Sequence, residues 1–301
     1  MGYLYVVIAV FSGVSKGFLA KKLSGRTSTL RQAAFYNLLR MTVCVVIGFL
    51  LCTVQSGFGG LVINTPTVGL SLLYGIGTAA MAVSWLFAVQ YSAYVMLDIF
   101  LVLGTVVPII GSAILFGEIP SVHQIIGVLI LCAAVYLMCG YSNSIKGKLT
   151  VKGIAILLVC GFSNGLSGLA QKMFSRSAAE TGDINAAFNF YGYVFASITL
   201  LLVFLMIKNF SKTEKKLEDS QAVTPKIYLI IVLMSIFLFL NSFFQTAAAA
   251  ELEASVLFPM VQGLSLVCST VMSAIAFKER VNARSIAGTV IAFVGMVILN
   301  L

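Results

Sequence analysis

Apolar stretches of roughly 20 residues follow one another along the whole chain, each long enough to cross a hydrocarbon core of about 30 Å as a helix. They fall near 2–22, 33–54, 67–89, 93–116, 122–141, 152–174, 186–207, 227–248, 254–277 and 283–300. A backbone surrounded by lipid must satisfy its own hydrogen bonds, and a helix does so within one segment. Composition excludes a soluble alternative. Of 301 residues, 60% are hydrophobic and only 10% are charged, whereas soluble domains carry about 25% charged and about 45–50% apolar residues. The expected fold class is therefore all-α integral membrane, with ten transmembrane helices and short connections. The first stretch has no basic n-region and runs directly into "KKLSGR" (21–26), so it is expected to stay as a helix rather than act as a cleaved signal peptide.

Charge then orients the spans. One side of the membrane receives Lys21, Lys22, Arg26, Arg31, Lys146, Lys148, Lys152, Lys208, Lys212, Lys215, Lys216, Lys226, Lys278, Arg280 and Arg284. Those are fifteen basic residues; the other side receives only Lys172 and Arg176. Cytoplasmic loops are the ones enriched in Lys and Arg, which places the first loop inside and both termini outside. The expected location is a cell membrane, the cytoplasmic (inner) membrane of a bacterium, crossed many times. The net charge of +9 is a matter of topology, and no nucleic-acid partner is expected. Cys44, Cys52, Cys132, Cys139, Cys160 and Cys268 all lie in apolar runs without a CxxC or Cys/His neighbourhood. They read as small buried hydrophobes, with no disulfide framework, metal site or cofactor.

The chain also repeats itself. "SAILFGE" (112–118) returns as "SAIAFKE" (273–279), a register that continues through Ile125/Ile286, Gly127/Gly288 and Ile130/Ile291. "FSGVSKG" (11–17) answers to "FSNGLSG" (162–168), and "AAF" at 33–35 to "AAF" at 186–188. The halves are residues 1–145 and 146–301, five spans each, forming one membrane domain. An odd number of spans per half inserts the second half upside down, and inverted repeats of this kind build a binding site near the bilayer midplane, where the halves meet.

With these features the chain resembles the ten-helix drug/metabolite transporter superfamily, EamA branch. The resemblance rests on the 5+5 plan, on spans ending in "FGE" and "FKE" before a Gly-bearing closing helix, and on "LFPMVQGLSL" (257–266) with Pro259 early in its span. It covers essentially the whole chain and implies a secondary transporter, an exporter, without naming the solute. Glu118 and Glu279 match the superfamily's acidic position at the ends of spans 4 and 9. As residues just before a new helix they read as structural, accepting from exposed amides and favouring the helix dipole. The half-sized small multidrug relatives carry a proton-coupling Glu in their first helix. Here that region offers Ser12, Gly13 and Ser15 but no carboxylate, which argues against proton-coupled export of organic cations.

Three ionisable residues fall well inside spans: Lys16, Arg40 and Asp98. Each costs at least about 2.5–3.5 kcal/mol at membrane depth, so an interior position and a partner are expected. At 1.5 Å per residue, Lys16 lies roughly 8 Å from the basic end of its span, Asp98 roughly 9 Å, and Arg40 roughly 13 Å. Asp98 is thus placed to pair with Lys16 or Arg40, leaving one surplus positive charge; snorkelling of Lys16 to the interface is the alternative. Polar and aromatic residues collect in the spans expected to line the cavity: Tyr36, Asn37, Trp85, Gln90, Ser163, Asn164, Asn189, Tyr191, Tyr193, Asn241, Gln245 and Gln262. An amide in a span is more often glue between helices than a ligand contact. His123, Glu251 and Glu253 sit near span ends and read as solvated.

A surplus cation among amides favours an anionic or zwitterionic small molecule, such as an amino acid, carried by alternating access. Multidrug or organic-cation efflux is the competing solute class. A channel, a receptor or an intramembrane enzyme stands further off, since the spans lack a paired catalytic constellation. A nucleotide-driven pump is excluded within this chain by the lack of a GxxxxGK[ST] loop. Whether a proton or another ion is coupled to transport is left open by the residues.

Overall fold

The computed structural model describes residues 1–24, 30–91, 100–139, 151–210, 225–277 and 283–299. Among them there is no strand. The helices are α1 (Gly2–Ser24), α2 (Leu30–Ser56), α3 (Thr65–Tyr91), α4 (Val106–Phe116), α5 (Val122–Cys139), α6 (Val151–Thr181), α7 (Asn185–Phe210), α8 (Pro225–Glu251), α9 (Ala254–Phe277) and α10 (Ala283–Leu299). A 3-10 turn, Phe58–Leu61, joins α2 to α3. Among the described residues six helices (α1, α2, α3, α6, α7 and α8) are long and apolar enough to cross a membrane, and four shorter apolar helices accompany them.

Two departures from the expected spans have local causes. The segment 100–104 is helical but is separated from α4 by a turn at Thr105, whose Oγ1 donates to Val102 O at 2.7 Å. Pro108 cannot donate to Gly104 O and its ring crowds that carbonyl, so the helix breaks there. At the other extreme, α6 runs on to Thr181, seven residues past the expected 174. Lys172 and Arg176 do not end it because Glu118 pairs with both.

The outer surface is apolar. Phe11, Val54, Ile114, Tyr136 and Phe293 are exposed to the surroundings, as a lipid-facing surface requires. Inside, helices approach through small residues, where packing rather than water drives association. A Cβ on Gly75 of α3 would lie 2.6 Å from Gly192 O of α7, and one on Gly48 of α2 would lie 3.0 Å from Phe190 Cα. The most extensive pairings are α5 with α10, α3 with α6 and α7, α1 with α8, and α2 with α7. A core of Met41, Cys44, Ala79, Ala82, Tyr193, Leu200, Leu238 and Phe239 joins α2, α3, α7 and α8.

One end of the bundle gathers the tight connections. Asn64 Nδ2 donates to Asp183 Oδ1 at 3.1 Å, tying the α2–α3 connection to the α6–α7 turn. Gln124 Nε2 donates to Glu253 Oε2 at 3.2 Å, tying the start of α5 to the α8–α9 turn. The amino terminus pairs with Glu251 at 3.1 Å. This is called the turn end below.

Candidate functional site

Away from the turn end, the helices enclose a polar cavity. Its wall takes Gly13, Lys16 and Gly17 from α1, Arg40 from α2, and Thr78 and Trp85 from α3. Leu101 before α4, Asn164 of α6, Asn241 and Gln245 of α8, and Gln262, Ser265 and Ser269 of α9 also line it, among apolar residues such as Met41, Met81 and Leu238. The space open to the centres of water molecules is ≈ 120 Å³. With about 30 Å³ for each water in the liquid, that is room for several waters or a small metabolite.

Several wall positions follow directly from the sequence. Gly13 lets α8 come close: a Cβ there would lie 3.1 Å from Asn241 Nδ2. That amide donates to Ala9 O at 2.8 Å, so its nitrogen holds α1 and its oxygen is left for other partners. Lys16 and Arg40 bring positive charge from two helices of the first half. No described carboxylate lines the cavity. Arg40 Nε is buried and has no hydrogen-bond partner among the described residues. A buried donor left unmade is costly, and more so when it is charged. The wall is therefore a cationic, amide-rich surface with unused donor capacity.

Seven of the residues singled out in the sequence share this cavity: Lys16, Arg40, Trp85, Asn164, Asn241, Gln245 and Gln262. Lys16 faces it rather than reaching out of the bundle. Others lie elsewhere. Tyr36 packs with Ala20, Leu23, Ile227, Ile231 and Met234. Asn37 Nδ2 donates to Ala82 O at 3.4 Å, binding α2 to α3. Ser163 is buried where α3 meets α6, its carbonyl 3.1 Å from a Cβ on Gly77. Tyr191 donates from its hydroxyl to Leu61 O at 2.7 Å and fastens the 3-10 turn. Asp98 and Glu279 lie outside the described residues, as does the side chain of Gln90. Thr78, Ser265 and Ser269 escape a reading of the sequence, because a hydroxyl in an apolar helix carries no distinguishing pattern.

Beside the cavity, at Ser242 and Thr246 next to Asn241 and Gln245 on α8, lies a second polar cluster. Asn189 Oδ1 accepts from Ser242 Oγ at 2.6 Å, and its own amide donates to Asn185 Oδ1 at 2.7 Å. Tyr74 and Ser242 share a hydrogen bond through their hydroxyls. Gln171 Nε2 donates to Ser242 O at 3.2 Å and to Thr246 Oγ1 at 3.0 Å. These groups are buried and mutually satisfied, so the cluster is a structural tie rather than a vacant site.

Adjoining it on α6, where Lys172 follows Gln171, sits an ion cluster. Glu118 Oε1 accepts from Lys172 Nζ at 2.9 Å and also pairs with Arg176. Glu118 Oε2 accepts from Ala254 N at 3.1 Å. Glu118 does cap a helix, as its position suggests, but the helix is the distant α9. The following helix, α5, has its own capping box: Ser121 N donates to Gln124 Oε1 at 2.9 Å, and Gln124 N to Ser121 Oγ at 3.2 Å. Burial pushes the pKa of Glu118 up, but hydrogen bonds from Arg176, Lys172 and Ala254 N–H, with the charge of Lys172, outweigh it and hold the carboxyl below its ordinary value. In the sequence Lys172 reads only as a charge near a loop. Its place in the register Phe11/Phe162, Ser12/Ser163, Gly17/Gly168, opposite Lys21, is the one signal of a further role.

Long apolar helices packed around a polar cavity define a multispanning membrane protein built to receive a small solute. A family model described as the EamA-like transporter family matches residues 151–301. A solved structure described only as a crystal structure of a protein is similar in fold, with a TM-score of 0.75 and 15% identity, covering 99% of this chain and 95% of that one. No curated protein sequence matches significantly. The chain belongs to the EamA-like transporter family, within the drug/metabolite transporter superfamily, and is a membrane transporter of that type.

Proposed function

We propose that the protein is a secondary carrier of a small anionic or zwitterionic metabolite, of amino-acid size, and that the cavity is its binding site. One observation carries the reading. Lys16 and Arg40 line the same cavity, no described carboxylate does, and Arg40 Nε has no partner among the described residues. A solute carboxylate supplies an acceptor for Arg40 Nε and a counter-charge for both cations. The amides of Asn164, Gln245 and Gln262 and the hydroxyls of Ser265 and Ser269 then hold its neutral or ammonium part. A lipophilic cation finds no counter-charge among the described wall residues.

The carrier mechanism is alternating access by two inverted halves, 1–145 and 146–301, with both termini outside the cytoplasmic membrane and export as the direction. Helix pairing supports the repeat: replacing each helix by the one five places on, or back, turns α1–α8 into α6–α3 and α1–α9 into α6–α4, and leaves α2–α7 and α5–α10 unchanged. All of these pairings occur. The cavity draws on both halves, as a site between repeats does.

The test is ligand-dependent stabilisation of the purified protein, followed by counterflow in proteoliposomes. Carboxylate-bearing metabolites are expected to raise the melting temperature, since a ligand bound only by the native state stabilises it. Arg40→Gln and Lys16→Gln should each weaken binding by about tenfold or more, the loss of a charge-assisted hydrogen bond being about 1.5–3 kcal/mol. Stabilisation by organic cations that survives both substitutions would overturn the assignment.

A further inference from the structure

The ion cluster at the turn end has no part in holding solute, yet it ties together elements that line the cavity. Lys172 lies eight residues beyond the cavity residue Asn164 on α6, roughly 12 Å along the helix axis. Ala254 precedes the cavity residue Gln262 on α9 by eight residues, a similar rise. Lys172 and Glu118 side chains are 2% and 7% exposed, while Arg176 is 51% exposed and guards the rim.

The bonds cross from one helix end to the next. Glu118, just past the end of α4, bonds Lys172 and Arg176 of α6 and the first amide of α9. Lys172 Nζ also donates to Ala249 O at 3.2 Å and Leu252 O at 2.7 Å, closing the end of α8. Ser175 Oγ donates to the same Ala249 carbonyl at 3.0 Å. Three charges and four helices thus meet in one buried knot. Gln171, adjacent to Lys172 on α6, bonds Ser242 and Thr246, the neighbours of the cavity residues Asn241 and Gln245 on α8, so the knot and the cavity wall are joined through one chain of hydrogen bonds.

We propose that Glu118, Lys172 and Arg176 form a latch that keeps the turn end shut while the cavity is formed, and that the latch must part for solute to pass that way. This rests on the alternating-access reading. Burial makes the arrangement two-state. A carboxylate between two cations and an amide is either fully paired or, once the helix ends separate, reached by water, and a half-open knot strands a charge. Arg176, exposed at the rim, is the place where water enters first.

The latch is tested with nitroxide labels on Ile119, an exposed residue beside Glu118, and Ala179, exposed near the end of α6. They report the separation of the two sides of the knot in the full-length protein in lipid vesicles. The unsubstituted chain should show mainly one short distance. Glu118→Gln keeps the shape and removes the charge, and the fraction at longer distance should rise severalfold. Arg176→Gln, which alters a half-exposed side chain, should shift it the same way to a smaller extent, and supplies the comparison if Glu118→Gln does not fold. Unchanged distances in either variant, when it elutes and melts as folded protein, overturn the latch even if counterflow is normal. A shifted distribution in a protein showing no counterflow with any solute upholds the latch and sinks the carrier reading instead.

Discussion

A Cβ on Gly161 would lie 2.2 Å from Phe100 O, and one on Gly104 would lie 2.1 Å from Gly161 O. The segment before α4 therefore rests backbone on backbone against α6, with Gly165 a turn further on meeting Gly104 O in the same way. Neither partner is a side chain that can swing aside. Gly161→Ala should cost about 1–3 kcal/mol, as overpacking does. Gly69 is the control: nothing lies within 4 Å of its Cβ position. Gly69→Ala should be neutral or stabilise by up to about 1 kcal/mol through helix propensity. Thermal unfolding in detergent measures both. The glycines of "SNGLSG" are legible as a feature of a packed helix, but not which partner each admits. The same holds for Lys16. Depth along the helix is readable from the sequence, whereas the direction it faces is set by α8 and α9, whose places around α1 no local pattern encodes.

At the scale of elements, span positions are legible because twenty apolar residues are a demand of the bilayer itself. The ends of α4 and α6 are less so, because Glu118, Lys172 and Arg176 satisfy each other only once distant helices meet. That coupling gives a pH dependence with a definite sign. Glu118 has a folded pKa below its ordinary value, so it binds protons less readily in the native state than in the unfolded one. Its contribution is complete above the unfolded carboxylate pKa of about 4.3 and is lost as pH falls through the lower folded value. Melting temperature should therefore fall on acidification below the ordinary carboxylate range. Glu118→Gln should lose this part of the dependence and, at neutral pH, be destabilised by about 3–5 kcal/mol, because Lys172 is left buried without its counter-charge. If the unsubstituted protein and the Glu118→Gln variant lose melting temperature in parallel on acidification from neutral pH, the assignment is refuted.

For the whole molecule, the two halves are covalently sequential yet spatially interleaved. The most extensive pairings, α5 with α10, α3 with α6 and α7, α1 with α8, and α2 with α7, each join a helix before residue 145 to one after it. Within the first half, α2 and α3 pack together far less extensively. The cores follow suit: one joins Val6 and Val10 to Ala248, Leu257 and Phe258, another Tyr74 to Ala170, Phe174 and Phe188. The polar cavity is divided in the same way. Its described cations, Lys16 and Arg40, come from α1 and α2, while its amides Asn164, Asn241, Gln245 and Gln262 come from α6, α8 and α9. A half-chain therefore leaves its small-residue faces turned toward lipid. In the first half Lys16 and Arg40 are turned that way too, where a charge costs at least about 2.5–3.5 kcal/mol. Residues 1–145 expressed alone should be degraded or aggregate in the membrane. The same segment expressed together with 146–301 as a separate chain should be recovered with it through an affinity tag on either one, and the pair should show the ligand-induced stabilisation of the intact protein. A first half that accumulates and melts cooperatively by itself would show that the chain is two domains rather than one.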